Sequence, residues 1–196
     1  MNIFCLDASP KKAAQYHVDK HVVKMVLESV QLLCTAHRIL DGEFFVGKTK
    51  TGRNIKRWKL PDHLDQVLYT ATHINHPSAV WCRERDSQYM WLAELTRELC
   101  REYTYRYGKF HKCQTDGLVD WLLNNRPKNI SREGTFTLPS VAMPDYCKAP
   151  GDVVTSYRRY YVNEKQRMHS WAGKINSRPT PEWLNDSQYL ILKEVV

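Results

Sequence analysis

The sequence predicts a mainly α-helical protein, a single domain over residues 1–196 from which a basic loop or small hairpin projects. The first observation is that long stretches free of Gly and Pro carry apolar residues at helical spacing. The second is length: 196 residues are enough for one domain with a sizeable core, and no repeat or linker divides them. The third is that residues 43–60 break the helical pattern with two glycines and a short β-rich run.

The longest helical stretch runs from residue 16 to residue 38. Most of its positions are apolar, which predicts a helix buried in the middle of the domain. The exceptions follow one another at steps of three and four and therefore share one face. We call this face the polar stripe, and its members are His17, His21, Lys24, Glu28, Gln31, Thr35 and Arg38. The stripe is either the wet side of the helix, with Lys24 and Glu28 as an ordinary ion pair, or the lining of a cleft.

The other elements are predicted from residues that typically start or end a helix or a turn. Residues 2–6 form a short apolar run, either an edge strand or an extended arm, and Ser9 followed by Pro10 starts a helix. Four further helices are predicted, over residues 62–73, 86–107, 116–125 and 152–171. Gly108 ends the helix predicted over 86–107. Residues 126–150 hold four prolines and predict a long irregular connection. Residues 178–183 predict an extended tail that packs Trp183 on the body.

Charge points to an anionic partner. The chain has 29 Lys and Arg against 21 Asp and Glu, a net charge of +8, for which nucleic acid is the simplest partner. Six cations fall within twelve residues of the predicted hairpin, and they favour either a phosphate-contacting arm or a solvated loop: Lys48, Lys50, Arg53, Lys56, Arg57 and Lys59. Residues 103–112, YTYRYGKFHK, alternate cations with aromatic rings, as base-stacking surfaces do.

Other signals narrow the class of protein. The chain has no apolar run of membrane-spanning length and no leader-like segment, so we expect a cytoplasmic protein, in the host cytoplasm if it is phage-encoded. Six scattered cysteines without a CxxC pair predict free thiols. There is no GxxxxGK[ST], GxGxxG, GxSxG or HExxH motif, which argues against phosphate-cradling nucleotide folds, hydrolase elbows and zinc catalysis.

The polar stripe carries the candidate chemistry. A lysine amine that is desolvated in an apolar helix can act as a nucleophile, and a carboxylate one turn away can stabilise a cation or move a proton. Lys24 and Glu28 therefore suit cleavage of a glycosidic bond through an imine, with His21 and Asp19 beside them. Further residues are candidates for substrate binding: His17, Lys20, Gln31, His73, His76, Trp81, Arg106, Tyr107, Lys109, His111, Tyr157 and Arg158.

The pattern HINHP at residues 73–77 places His76 at a turn before a proline. Two histidines at this spacing need a third ligand from elsewhere to hold a metal ion. A histidine that contacts substrate or backbone fits the pattern better, so we expect neither a metal nor another cofactor.

Four motifs carry a family resemblance: MNIFCLD, YHVDKHVVKMVLESVQLL, HINHP and EYTYRYGKFHK. Over nearly its whole length the chain resembles a family of phage proteins that carry the label pyrimidine-dimer DNA glycosylase. It is similar, more distantly, to the pyrimidine-dimer glycosylase family itself. That resemblance implies one mainly helical domain with a basic concave surface, an N-terminal α-amine as nucleophile and a nearby helical glutamate, here Glu28. The tail residues Arg178, Pro179 and Trp183 also match.

One departure leaves the nucleophile open. The glycosylase needs a small second residue so that the initiator Met is removed, whereas this chain has Asn2, which predicts that Met1 stays. The amine of Met1, Lys24 or Lys20, or a water molecule, remains a candidate. The resemblance implies a DNA glycosylase, with or without AP lyase activity, for damaged or modified pyrimidines. The alternatives are an enzyme that modifies a nucleotide or DNA base and leaves the glycosidic bond intact, and a non-catalytic nucleic-acid-binding protein.

Overall fold

The computed structural model describes residues 1–191, with the backbone alone at position 62. The mainly α-helical prediction is confirmed. The helices are α1 (Pro10–Tyr16), α2 (Asp19–Asp41), α3 (Asp62–Val67), α4 (Pro77–Glu84), α5 (Asp86–Tyr107), α6 (Lys112–Thr115), α7 (Leu118–Asn124) and α8 (Val153–Glu164). The strands are β1 (Glu43–Lys48) and β2 (Asn54–Lys59). Short 3-10 turns follow at Asp145–Cys147, Gln166–Met168, Glu182–Asn185 and Ser187–Tyr189.

Helices α2 and α5 pack against each other at the centre, with α1 on α5 and α4 on both. On α2, Met25, Val26 and Leu33 are at most 2 % exposed and belong to the apolar core. The prediction that this helix is buried on nearly every side is wrong for one face. Val23 and Leu27 are about 40 % exposed, because they lie on the side that carries the lysines of the first turns into solvent.

The predicted helix from residue 16 is broken at His17 and Val18, whose backbones are extended. Arg106 explains the break, since its fully buried guanidinium donates to the carbonyl oxygens of Gln15 and His17 and to the Asp19 carboxylate. A long-range contact of this kind gives the freed carbonyls their hydrogen bonds. The chain therefore turns between α1 and α2 without leaving these polar groups unsatisfied.

The remaining helices follow the prediction to different extents. Helix α5 has the predicted bounds, and Gly108 caps it with φ +65°. The helix predicted over 62–73 ends at Val67, because Arg38 takes the carbonyls of Asp65, Leu68 and Tyr69 as hydrogen-bond acceptors. The last helix ends at Glu164 and is followed by a 3-10 turn. Helix α7 is shorter than predicted, and residues 126–150 are irregular apart from one turn, as expected.

The basic segment forms the predicted hairpin. Strands β1 and β2 pair antiparallel, with Phe44 opposite Trp58 and Phe45 opposite Arg57. Most of its side chains are exposed, including Phe44 at 52 % and Phe45 at 46 %. An Arg38 Nη1–H bond to the carbonyl of Trp58, 2.8 Å long, ties the hairpin to α2.

The first residues form a buried arm and not a strand. Ile3, Cys5 and Leu6 are at most 1 % exposed, and the Asn2 side chain donates to the carbonyl of Ala142.

The tail prediction is confirmed: Trp183 is 6 % exposed and packs edge-on against Tyr16 and Tyr161. The six cysteines are buried. Within the described part of the chain, the helices are too short or too polar to cross a membrane.

Candidate functional site

A cavity of about 470 Å³ lies where the first residues of the chain meet α2, the turn before α4 and the end of α8. We call it the Met1 pocket. Its volume is in the range of small-molecule sites. Its lining combines cations, a carboxylate, two histidines and apolar or aromatic side chains: Met1, Asn2, Phe4, Lys20, His21, Lys24, Met25, Glu28, His76, Tyr160, Lys165 and Met168.

The Glu28 carboxylate lies between two amines. Its Oε2 atom is 3.9 Å from the α-amine of Met1, and its Oε1 atom is 3.0 Å from Lys24 Nζ. The side chain of Met1 is 3 % exposed and anchors a residue that is half-buried as a whole, whereas the side chain of Lys24 is 67 % exposed. The pocket therefore contains the Met1 α-amine beside a carboxylate, with the Lys24 amine in solvent next to them.

The position of Met1 follows from the path of the N-terminal arm. The Asn2 side chain is held by the Ala142 carbonyl and by the Tyr157 hydroxyl, which lies 2.8 Å from Asn2 Oδ1. Phe4 packs against the ring of His21 at 4.3 Å, nearly parallel. These contacts fix the arm across residues far apart in sequence, so that the first residue is directed at α2.

The two histidines of the pocket are kept uncharged at neutral pH. Burial, together with smaller contributions from nearby cations, lowers the pKa of His21 to about 3. Its Nδ1 atom lies 2.5 Å from the Tyr161 hydroxyl, so His21 is a fixed hydrogen-bonding group. Burial also lowers the pKa of His76, as do the charges of the Met1 amine and His73. His76 Nδ1 accepts from Ser78 N and caps α4, which confirms the predicted turn.

Cations surround the mouth of the pocket. Lys20 and Lys24 are exposed on α2, and Lys165 Nζ lies 4.4 Å from the centroid of the Tyr160 ring. Together with the Met1 amine, three lysines face one carboxylate among the lining residues. The excess positive charge suits an anionic ligand such as a phosphate ester, next to an aromatic ring that offers a stacking surface.

Five predicted residues are thus brought together in the Met1 pocket: His21, Lys24 and Glu28, with Lys20 and His76. Gln31 lies half-buried at the next position of the stripe. His73 is exposed, has a positive φ of 49° and lies 2.7 Å from the Thr72 hydroxyl.

Asp19 and Arg106 lie elsewhere, in a buried ion pair of 2.9 Å. The other Asp19 oxygen accepts from Ser170 and Gly173, and the Tyr107 hydroxyl donates to the backbone of Asp19. These contacts join α2, α5 and the C-terminal tail. Since Arg106 is fully buried and all its contacts are to protein, we assign the group a structural role.

Four other predicted residues also support the fold. His17 is fully buried, with Nδ1 2.6 Å from the Ala13 carbonyl and a pKa that burial lowers to about 4. Trp81 is 3 % exposed and donates to the Thr137 carbonyl. The Tyr157 hydroxyl holds Asn2, and Arg158 donates to the Leu6 carbonyl while it lies over the Trp183 ring. Each is occupied by interior contacts.

Lys109 and His111 lie after the end of α5, outside the Met1 pocket. Lys109 is exposed, whereas burial lowers the pKa of His111, whose Nδ1 accepts from Cys113 N. The described residues include no cluster of three His, Cys, Asp or Glu side chains suited to a metal ion.

The pocket also contains residues outside the predicted set, namely Phe4, Met25, Tyr160, Lys165 and Met168. Phe4 lies in the predicted apolar run 2–6 and Met25 in the predicted long helix, but the sequence pattern marked neither as a site residue. Comparison with protein-family models, curated protein sequences and solved structures found no match to this chain.

Proposed function

We propose that this protein is a DNA glycosylase that removes a damaged or modified pyrimidine through an imine and can then act as an AP lyase. The observation that carries the proposal is the α-amine of Met1, which lies in a cationic pocket and 3.9 Å from the Glu28 carboxylate. An amine and a carboxylate at this separation match the needs of imine chemistry at a sugar carbon. The pocket volume suits a single nucleotide, turned out of the duplex.

The chemistry assigns a role to each group. The amine attacks C1′ of the deoxyribose, the bond from C1′ to the base breaks, and the base leaves with the electron pair and takes up a proton. Glu28 stabilises the positive charge that develops at C1′ and accepts one proton from the attached amine. The C1′–O4′ bond then breaks, O4′ takes up a proton as the ring opens, and the nitrogen forms a double bond to C1′, which gives the imine. Water then hydrolyses the imine, or loss of the proton at C2′ expels the 3′ phosphate by β-elimination and cleaves the strand.

Met1 fits the nucleophile's role better than Lys24 does. Lys24 is 67 % exposed and lies at the edge of the pocket, whereas Met1 lies inside it. Lys20, Lys24 and Lys165 are then free to contact the phosphates that flank the target nucleotide.

Borohydride trapping tests the proposal. Duplexes with a thymine dimer, a hydroxymethylated uracil or an abasic site would be incubated with the protein and sodium borohydride, which reduces an imine to a stable amine. We expect a covalent adduct, and mass mapping should place it on the peptide that begins with Met1. Intact mass checks that the α-amine is free. Lys24→Met should still form the adduct, since it keeps the aliphatic stem and removes only the outer amine.

The outcomes separate the candidate functions. An adduct on Lys24 would show that Lys24, and not the Met1 amine, is the nucleophile of the same reaction. A protein that binds these duplexes in the pocket, and forms no adduct with any of them, would contradict the glycosylase and favour an enzyme that leaves the glycosidic bond intact. Glu94→Gln is the matched control for Glu28→Gln, because Glu94 also pairs with a cation on a helix surface, Arg97, and lies outside the pocket.

A further inference from the structure

A second cavity, of about 350 Å³, lies between the hairpin and the segment 70–71. We call it the hairpin pocket. Phe45, Lys48 and Arg57 line its hairpin side, and Arg38 with Asp65 closes its base. Arg38 and Asp65 neutralise each other at 2.6 Å, so the remaining charge of the pocket is that of Lys48 and Arg57.

The hairpin directs one ring and one guanidinium group at this pocket. Phe45 and Arg57 are opposite each other in the register and therefore on the same face of the two-stranded sheet. A Cβ atom at Gly47 would lie 3.4 Å from both the Phe45 ring and the Arg57 side chain, so the two groups come together over a residue without a side chain. Phe44, on the other face, packs against Trp58 at 5.4 Å.

An exposed aromatic ring beside cations is typical of surfaces that bind single-stranded nucleic acid. Phe45 is 46 % exposed and lines the pocket, so its ring is accessible to a ligand there. Aromatic rings that alternate with Lys and Arg along a groove bind single strands, because bases stack on the rings and phosphates meet the cations. A paired base has no free face to offer such a pocket, so an unpaired one fits best.

The two pockets lie along one side of α2. The polar stripe supplies Glu28 to the Met1 pocket and Arg38 to the hairpin pocket, ten positions further on. At 1.5 Å per residue they are about 15 Å apart along the helix. The segment from residue 70 to His76 runs between them, lines both, and is tied to the stripe where Thr72 N donates to the Thr35 hydroxyl.

We propose that the hairpin pocket is a second nucleotide subsite, which stacks one unpaired base on Phe45 and holds its phosphate with Arg57. The strand continues over the segment from residue 70 to His76, which covers the buried part of the polar stripe, to the Met1 pocket. With a rise of about 3.4 Å per stacked nucleotide, the two bound nucleotides are separated by roughly four or five steps. The subsite rests on the proposed DNA substrate and is independent of the imine.

Fluorescence anisotropy with single-stranded oligothymidylates of two to twelve nucleotides tests the subsite. For the unmodified protein, affinity should rise sharply once the oligomer spans both pockets, at about six nucleotides. Phe45→Ala should remove that rise and weaken binding of the longer oligomers by roughly 5- to 150-fold. It should leave the shortest oligomers unchanged, because they need only one pocket.

Matched controls lie on the opposite face of the same strands. Phe44→Ala should weaken binding less than twofold, and Arg57→Ala should weaken it more than Lys56→Ala, although each change removes one cation. Thermal melting of each variant checks that the hairpin substitutions leave the body folded. Equal effects of Phe44→Ala and Phe45→Ala on affinity would overturn the subsite. So would duplex DNA that binds more tightly than single strands with an affinity that Phe45→Ala leaves unchanged.

The two proposals fail in distinguishable ways. If no borohydride adduct forms but affinity still rises with oligonucleotide length, the glycosylase proposal is contradicted and the subsite proposal stands. An adduct without any length dependence would remove the subsite alone. Absence of binding to both single-stranded and duplex DNA at low salt would remove both.

Discussion

Glu28→Gln is the substitution that separates a catalytic carboxylate from a structural one. Gln keeps the volume of Glu and an acceptor oxygen, but it carries no charge and does not transfer a proton in the same way. If Glu28 acts in imine formation, we expect the rate of base release to fall by about 10²- to 10⁴-fold. Affinity for DNA should change little, because the phosphates are contacted by the lysines around the pocket.

The expected cost in stability follows from the exposure of the partners. Lys24 is 67 % exposed, so its pair with Glu28 contributes only about 0.3–0.5 kcal/mol. The Met1 amine lies 3.9 Å away, beyond hydrogen-bond distance, and loses a partly buried partner charge. We expect a total loss of about 1 kcal/mol, which corresponds to a fall in Tm of about 2–4 °C for a chain of this length.

The assay combines single-turnover base release, borohydride trapping and thermal melting on the same preparations. Glu94→Gln provides the baseline for loss of a surface ion pair and should retain full activity. Base release by Glu28→Gln within threefold of the unmodified protein would refute the catalytic role. A loss of more than about 3 kcal/mol would instead indicate a buried ionic network, in which removal of one partner strands the other.

Three further predictions concern stability and binding. Burial lowers the pKa of His17 and His37 to about 4 and that of His21 to about 3, against about 6.5 in the unfolded chain, so the unfolded state binds more protons below pH 6.5. Stability should therefore fall as the pH drops from 6.5 towards 4, by on the order of 2 kcal/mol per histidine at pH 4.5, and denaturant titrations at several pH values that show no decline would contradict this. Arg106→Met should cost about 3–5 kcal/mol in urea unfolding, because it leaves the Asp19 carboxylate without its buried partner, and a loss below 1 kcal/mol would count against the proposed junction. If the six hairpin cations contact phosphates, log affinity for duplex DNA should fall with log salt at a slope of about −5, and a salt-independent affinity would exclude such contacts.

The sequence predicted those elements whose ends are encoded locally. Helix α5 has the predicted bounds, and its C-terminal end is encoded by Gly108, which takes the left-handed conformation that a helix end favours. The start of α2 and the end of α3 were missed, since Arg106 and Arg38 donate hydrogen bonds to backbone carbonyls of segments distant in the sequence. Such capping by a remote guanidinium leaves no periodic pattern, and a polar residue on a helix face looks the same whether it meets water or a carbonyl.

The sequence predicted which candidate residues share a face of α2, but not that this face meets Met1, His76 and Lys165 in one pocket. His21, Lys24 and Glu28 share a face of α2 because of their spacing, and that spacing is visible in the sequence. The presence of Met1 in the same pocket depends on Asn2, which is anchored to Ala142, 140 residues further on. Lys165 enters from the end of α8 for a similar reason. Periodicity predicts which residues share a helix face, whereas the partners of that face are set by tertiary packing.

The polar stripe is neither uniformly wet nor uniformly a cleft lining. At its C-terminal end, Thr35 and Arg38 are buried and hold the segment from residue 65 to residue 72 through side-chain to backbone hydrogen bonds. At its other end, Lys24 and Glu28 stay accessible around the Met1 amine. Because the buried end fixes the segment that carries His76 into the Met1 pocket, the structural half of the stripe positions a wall of the functional half. One helix face thus anchors the fold and supplies the candidate carboxylate. This double role explains why its residues are polar along the whole length of a helix whose other buried positions, apart from Ser29 and His37, are apolar.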